Sequence, residues 1–499
     1  MARIITRIKA WKKILVYAVF LAAVGQLVWL YRKNQKSSAL KSDEKLLLKT
    51  FNHLNHNRKS TMRTPPPQLP ILLWWDSVYT SVDDIRVCGD FRCRVTNDRK
   101  LQNHTETKIF IFYASHFKPY DLPLPRKRGH LWSLIHEESP RNAYLLSHVP
   151  TLSFFNLTSS YNMKSDYPIT TQWLQCTDWL QDSTYVLPLV DKNRLRQFGL
   201  APILYLQSDC DVPSDRDNFV KLLQAYIPVD SYGSCLHNKD MPKRLRFEDS
   251  MAPLDDKEFF RFAARYKFTL ALENYVCDDY VTEKLWRPLR LGSIPIVFGA
   301  PNVLDYLPSN TSAIMVEDFR SVAELAEFIK LLDTNDNLYK EYLAFKEQPI
   351  ENLHLKEILE NRDWSPEFCD RKSHSASHVL KQSTQGLLTS KYDSIFTGFE
   401  CFLCNQVHNI AADEYKGVKG HEYISNQEQY YCPSPRKFDQ NGRYSVHNES
   451  WSKEWTFGKF EALAMKQVFE QQRRTQEKEF IRIANQLMEA EETGKADYK

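Results

Sequence analysis

Continuous apolar runs, not alternation, mark the strands of this chain. Ile71-Leu72-Leu73-Trp74-Trp75 and Ile109-Phe110-Ile111-Phe112-Tyr113 contain no charged position, as expected of strands covered on both faces of a sheet. A second set follows in Ile203-Leu204-Tyr205-Leu206, Phe268-Thr269-Leu270-Ala271-Leu272 and Ile294-Pro295-Ile296-Val297-Phe298, with helical periodicity such as Phe219 to Tyr226 between its members. Strands alternating with helices predict an α/β fold, divided into one domain at 69–190 and another at 191–348 with a cleft between them. Clefts between doubly wound domains commonly hold nucleotides. Residues 349–499 lose this regularity and end in a highly charged helical stretch from about Trp455 to Glu491.

The N-terminal pattern is of another kind. From Ile14 to Tyr31 eighteen residues carry no charge, enough to span about 27 Å as a helix, close to a bilayer core. Arg3, Arg7, Lys9, Lys12 and Lys13 precede this run, so the positive-inside rule makes 1–13 a cytosolic tail and 14–31 a single transmembrane signal anchor of a type II membrane protein. A cleaved signal peptide is the competing reading, but the run is long, carries Trp29 and Tyr31 at its far edge and lacks a clear small-x-small cleavage site. Residues 32–68, rich in Lys, Ser and Asn and ending near Pro65-Pro66-Pro67, read as a solvated stem.

Composition adds a compartment. The sequons at Asn103, Asn156, Asn310 and Asn448 are candidate glycosylation sites, and all ten cysteines lie beyond the anchor, where disulfides are permitted. Cys88, Cys93, Cys369, Cys401, Cys404 and Cys432 are the disulfide candidates, with no pairing assignable. Cys401-Phe402-Leu403-Cys404 has the spacing of a zinc ligand pair but no matching second pair, so disulfides are favoured. A net charge of +4, with Lys and Arg dispersed among Asp and Glu, excludes nucleic acid as a partner.

Candidate chemistry gathers at three places. The first is the run from Tyr266 to Arg287, where a buried strand ends in Glu273-Asn274 and Thr282 can cap a helix carrying Glu283 and Lys284 in its first turn. Free N–H groups, the helix dipole and the Lys284 charge would suit a pyrophosphate there. The second is Ser214-Asp215-Arg216-Asp217, with Ser214 and Asp217 in capping-box spacing and Arg216 in the first turn. Asp209-Cys210-Asp211 and Asp215-Arg216-Asp217 also spell the Asp-x-Asp of metal-dependent transferases, a triplet too common to carry weight, so no metal is expected. The third is His136-Glu137-Glu138-Ser139-Pro140, after the apolar Leu131 to Ile135, where a strand meets a loop at the cleft rim. Either glutamate could serve as a base, and His136 is expected to pack or bond locally.

The run from Tyr266 to Lys284 resembles the donor signature of the α1,3-fucosyltransferase family, Y-K-F-x-L-x-x-E-N-S followed after a short spacer by Y-[IV]-T-E-K. More weakly, the resemblance extends from about Leu69 to Asp336. It implies an inverting transferase of the GT-B class, two Rossmann-like domains facing a cleft, with GDP-fucose as donor substrate and no cofactor required. Arg216, Asn274, Tyr280, Glu283 and Lys284 would face the donor, with Arg216 and Lys284 on its phosphates and Glu283 accepting from its hydroxyls. The family's x-E-S-P segment, supported by a similar pattern at Phe155-Asn156-Leu157-Thr158, Tyr161, Ser165 and Asp166, places the general base on Glu138 over its rival Glu137. Tyr275 replaces a frequent Ser, and Pro288 a frequent Asn, which is expected to kink the helix.

The implied activity is transfer of L-fucose to a glycoprotein or glycan acceptor, by family an α1,3 linkage to a GlcNAc-type sugar. The departures at Tyr275 and Cys277-Asp278 leave a protein Ser or Thr hydroxyl as the alternative acceptor. A catalytically silent glycoprotein-binding protein would have lost the donor residues, which are all present, and a lectin-like ectodomain would show many short alternating strands instead of buried runs. Topology and family together imply the Golgi membrane, with the endoplasmic reticulum as alternative; the terminal Ala496-Asp497-Tyr498-Lys499 carries no retrieval signal.

Overall fold

Two mostly parallel sheets follow from the apolar runs. In the computed structural model, residues 68–174, 176–246, 256–362, 391–416 and 424–494 are described. The first sheet holds β1 (Ile71–Asp76), β2 (Asp83–Cys88), β3 (Phe91–Thr96), β4 (Thr107–Tyr113), β5 (Leu131–His136) and β6 (Leu157–Ser160), in the order β2-β3-β1-β4-β5-β6. Its ladders are parallel except for the β2–β3 hairpin, turned at Gly89 with φ of +62°. The second sheet is β7 (Ile203–Tyr205), β8 (Val229–Ser231), β9 (Phe268–Leu272), β10 (Ile294–Phe298) and β11 (Ile314–Met315), all parallel, in the order β11-β10-β9-β7-β8. The helices that matter below are α1 (Arg216–Gln224), α2 (Glu283–Leu291), α3 (Lys391–Tyr415), α4 (Glu449–Glu470) and α5 (Glu477–Glu492).

The side-chain period of two explains why the runs lack polar positions. On β1, Ile71, Leu73 and Trp75 join one core with Phe110 and Phe112 of β4, while Leu72 and Trp74 join another with Ile109 and Ile111. The first core is closed by Phe460, Met465 and Val468 of α4 and Phe480 and Ala484 of α5. The second is closed by Ile395, Phe396, Phe399 and Leu403 of α3. Both helical layers of the first sheet therefore come from the region after residue 349, which the sequence pattern left irregular. The second sheet is covered conventionally: α1 and the helix Val322–Thr334 lie on one face, and Leu285, Trp286 and Leu289 of α2 on the other.

Disulfides fix α3 to the sheet. Cys88 bonds Cys401 and Cys93 bonds Cys404, so the C-x-x-C, with both sulfurs on one helical face, staples the β2–β3 hairpin. Next to the Cys88–Cys401 bridge along the helix, the buried Glu400 accepts from Trp74 Nε1 at 2.9 Å and pairs with Arg86. Cys210–Cys235 and Cys277–Cys432 are further bridges, and Cys369 lies outside the described residues. Cys93 and Cys404 approach His408, and Cys210 and Cys235 approach Asp217, but these sulfurs are consumed in disulfides and offer no thiolate to a metal.

Two expectations change. The charged stretch from Trp455 is a hairpin of two helices, broken where Gln472 takes φ of +51° and its side chain bonds Phe469 O and Arg126 N; with no Gly or Pro there, the sequence carries no breaker signal. Pro288 lies inside α2, which runs on to Leu291 and stops at Gly292 with φ of +62°. Asn103 and Asn310 are exposed, but two sequons are engaged inside the fold. Asn156, half-buried, accepts through Oδ1 from Arg126 and from Trp132 N, and Asn448, 2 % exposed, caps α4 by accepting through Oδ1 from Trp451 N.

Residues 69–499 form one compact unit, and the expected tail, anchor and stem up to residue 67 lie outside the described residues. Among those described, no helix is long and apolar enough to cross a membrane. α4 sits on the first sheet by backbone approach: a Cβ added to Gly458 would come within 2.7 Å of Tyr144 Cβ and 2.8 Å of its carbonyl carbon. Gly458→Val is therefore expected to destabilise by about 1–3 kcal/mol through overpacking, read as a lowered urea midpoint; an unchanged midpoint would contradict this seating.

Candidate active site

The site is built outward from the end of β9. Its order in the sheet places β7 and β9 side by side although β8 intervenes in the chain, the switch point at which open α/β sheets leave a crevice beyond their strand ends. Glu273, the first residue after β9, is 4 % exposed, and its carboxylate accepts from Thr282 N at 2.9 Å and Thr282 Oγ1 at 2.8 Å, closing the loop between them. Gly299 makes room, since a Cβ there would meet Glu273 Cγ at 2.7 Å. Asp279 anchors the same loop in a left-handed conformation, φ of +64°, accepting from Tyr306 Oη at 2.5 Å, Asn302 Nδ2 at 2.7 Å and Met163 N at 2.9 Å.

α2 then begins where the sequence predicts, with Thr282 accepting from Lys284 N. Lys284 Nζ lies 3.1 Å from Glu273, 3.5 Å from Glu283 and 3.0 Å from Thr282 Oγ1. Burial works to lower the pKa of this ammonium, but Glu273 and Glu283 outweigh it and hold Lys284 above its ordinary value. Arg216 is 1 % exposed and donates to Leu272 O at 3.1 Å and Asp209 O at 2.7 Å, while its Nε has no partner among the described residues. It stands near enough to Lys284 to repel it. Asn274 Oδ1, at the crevice floor, is also without a partner. Two repelling cations and a helix start suit an anion carrying several oxygens, whereas the Asn274 oxygen suits a hydroxyl or N–H donor.

The capping box expected at Ser214 does not form. Ser214 is drawn instead to β9, donating through Oγ to Glu273 O at 2.6 Å and through N to Asn274 O at 3.1 Å. Asp215 occupies the cap position with φ of +54°, and Asp217 accepts from Tyr205 Oη at 2.7 Å and Asp211 N at 2.9 Å. A tertiary bond that ties α1 to the donor strand thus replaces a local cap. In the Asp-x-Asp triplets, Asp209 pairs with Arg141 and Asp211 accepts from Trp451 Nε1 at 3.4 Å, so these carboxylates are engaged within the protein.

The two adjacent glutamates after β5 point to different places. Glu137, 7 % exposed, accepts from Tyr113 Oη at 2.5 Å, and burial pushes its carboxyl up to about 7. Glu138 meets the second sheet: Tyr280 Oη donates to its Oε2 at 3.2 Å. Burial raises its pKa above the ordinary value; Lys284 and the Tyr280 bond work against the rise, and Glu283 and Glu273 add to it. His136 is fully buried, bonded to Tyr430 Oη and to Ser115 Oγ, and burial drives its pKa down to about 3, so it stays neutral. The structure therefore brings Glu138, Tyr280, Glu283 and Lys284 into one electrostatic cluster, with Arg216 and Asn274 at its rear, and leaves Glu137 facing the sheet interior.

Sequence reasoning missed a strap. Residues 430–433 pass beside the site: Tyr430 Oη donates to Glu138 O at 3.5 Å, Cys432 bonds Cys277, and Tyr275 Oη donates to Pro433 O at 2.9 Å. The signal was present in Tyr275 and Cys277, two positions of the donor loop that depart from the family pattern; both serve to grip the strap.

Residues 200–390 match the model for glycosyltransferase family 10 (fucosyltransferase) C-term, and residues 66–172 that for fucosyltransferase, N-terminal. The chain is 37 % identical to the Gallus gallus GDP-fucose protein O-fucosyltransferase 3 over 454 residues, 89 % of each chain. It is 40 % identical to the Danio rerio protein of that name over 404 residues, 80 % of this chain and 82 % of that one. The Homo sapiens protein is 37 % identical over 464 residues, 90 % of this chain and 91 % of that one. A solved α1,3-fucosyltransferase with GDP-fucose superposes on 61 % of this chain and 91 % of its own at a TM-score of 0.34 and 17 % identity.

A base must be ionised to accept a proton, so the direction of the Glu138 shift sets a pH dependence. With Glu138 as the base, kcat/KM is expected to fall as pH drops through a value above the ordinary ~4.3 of glutamate. Tyr280→Phe removes a bond to the ionised form and should move that acid limb to still higher pH; a limb unmoved in the variant would detach Tyr280 from the titrating group.

Proposed function

The chain belongs to the fucosyltransferases of glycosyltransferase family 10 and uses GDP-fucose as its donor; from that premise we propose that its acceptor is a serine or threonine hydroxyl of a protein. The observation that carries this reading is the similarity to relatives named for protein acceptors, which covers 90 % of this chain in the Homo sapiens case and so exceeds the segments matched by the family models. Linkage to a GlcNAc-type sugar, which the donor motif alone implies, has no such support.

In this reading the two sheets are the two halves of a GT-B transferase. The diphosphate of GDP-fucose lies against the start of α2, between Lys284 and Arg216, with Asn274 beneath the donor. The acceptor oxygen attacks the anomeric carbon of fucose from the side of the first sheet. Glu138 takes the hydroxyl proton as the new C–O bond forms, the bond from fucose to the diphosphate breaks, and GDP leaves with the electron pair. Attack opposite the leaving group inverts the anomeric centre. Glu283 accepts from donor hydroxyls, and Tyr280 keeps Glu138 turned toward the reaction. The enzyme works in the secretory lumen, held to the Golgi membrane by Ile14 to Tyr31, and the bridges stapling its sheets suit an oxidising compartment.

The test uses the full chain in detergent with GDP-fucose and two acceptor sets: folded disulfide-containing secreted proteins stripped of N-glycans, and free GlcNAc-terminated glycans. GDP release with the proteins, and product fucose lost on alkaline β-elimination, is expected; turnover of the glycans alone would overturn the reading. Glu138→Gln should lower kcat at least about a hundredfold with GDP affinity preserved. Lys284→Ala should weaken GDP binding itself by about ten- to a hundredfold, and calorimetry with GDP separates the two roles.

A further inference from the structure

The α4–α5 hairpin lies beyond the segments matched by the family models, yet it borders the reaction site. Against it the structure opens a groove of about 1130 Å³, floored by Tyr144, Trp455, Phe457, Phe460 and Met488. The groove is also strongly one-signed: Glu449, Glu454, Glu461, Glu491 and Glu492 line it, against Lys453 alone among lysines and arginines. Lys459 satisfies Glu491 at 2.6 Å. Glu461 is half-buried with no hydrogen bond or ion pair among the described residues, and burial pushes its carboxyl up to about 7. Trp455 Nε1 and Tyr144 Oη in the lining also lack a hydrogen-bond partner among the described residues.

The groove neighbours the donor loop through packed side chains. Tyr144, in its floor, has its ring 6.1 Å from that of Tyr275, the neighbour of Asn274 in the donor loop. At the start of α4, Trp451 reaches Asp211 at 3.4 Å and lies under the Arg141 guanidinium at 5.4 Å. An occupant of the groove would thus lie beside elements that pack against the donor loop and the start of α1.

Resting on the reading that the acceptor is a protein, we propose that this groove docks a basic, apolar segment of the acceptor polypeptide flanking the modified hydroxyl. Apolar side chains of the segment bury against the aromatic floor, where anchors of this kind carry most binding energy. Its lysines or arginines pair with the glutamate rim, which steers them in and repels anionic chains. A cation beside Glu461 supplies the partner this carboxyl lacks, and carbonyls of the segment can accept from Trp455 Nε1 and Tyr144 Oη.

Two synthetic peptides test this on the full chain in detergent: one alternating Lys and Phe, one alternating Glu and Phe, each carrying a single benzoylphenylalanine for photocrosslinking. The Lys–Phe peptide should label α4 and α5, as mapped by mass spectrometry, and the Glu–Phe peptide should not. The double variant Glu454→Lys, Glu461→Lys should lose at least about tenfold of that labelling with GDP affinity unchanged, which shows that fold and donor site persist. Equal labelling by both peptides, or labelling indifferent to the charge reversal, overturns the proposal. So does a concentration-dependent dimer that the reversal dissociates, which would assign the groove to a second copy of the chain. The peptides carry no hydroxyl, so labelling does not depend on transfer, and GDP release with protein acceptors remains a separate readout.

Discussion

Tyr280 follows a strand of the second sheet, Glu138 follows a strand of the first, and the hydrogen bond between them at 3.2 Å joins the two halves of the site. Around this bond sit three carboxylates, Glu138, Glu273 and Glu283, and the Lys284 ammonium, in a largely buried space where Coulomb terms are much stronger than in water. The balance is deliberate in its asymmetry. Glu273 holds Lys284 and closes the loop after β9, whereas Glu138 accepts from Tyr280 and feels Lys284 only electrostatically. Removing the charge of Lys284 would leave three like charges together, so in the proposed mechanism donor binding and the ionisation of Glu138 are linked.

The donor loop is held from outside the two sheets as well. Tyr275 and Cys277 attach it to the strap at residues 430–433, and Tyr430 touches both His136 and the Glu138 backbone. The positions where this chain departs from the family pattern are thus explained by packing: they couple the catalytic loop to the C-terminal region, whose helices cover both faces of the first sheet. An acceptor docked on that region would sit on elements rigidly joined to the base.

Much of the fold was legible because burial on both faces leaves continuous apolar runs, and β1, β4, β7, β9 and β10 all stand where those runs predict. β2 and β3 were not, since charged residues alternate along the hairpin and its inner positions are cysteines whose partners lie 313 and 311 residues away. No spacing rule reaches that far. The start of α2 was legible from Thr282 because its cap is local; the start of α1 was misread because Ser214 bonds β9, a contact invisible to sequence separation. Glu138 was distinguished from Glu137 by family resemblance, and the geometry supplies the physical difference: one carboxyl is sealed behind Tyr113, the other meets Tyr280.

The central claim is spatial, that the Tyr280–Glu138 contact holds the proposed base against the donor. The most direct measurement is a structure of the full chain bound to GDP-fucose. The account predicts the diphosphate at the N–H groups opening α2, between Lys284 and Arg216, and the anomeric carbon facing Glu138 with room for one hydroxyl between them. A diphosphate seated away from α2, or a fucose whose anomeric carbon faces away from Glu138, would contradict it.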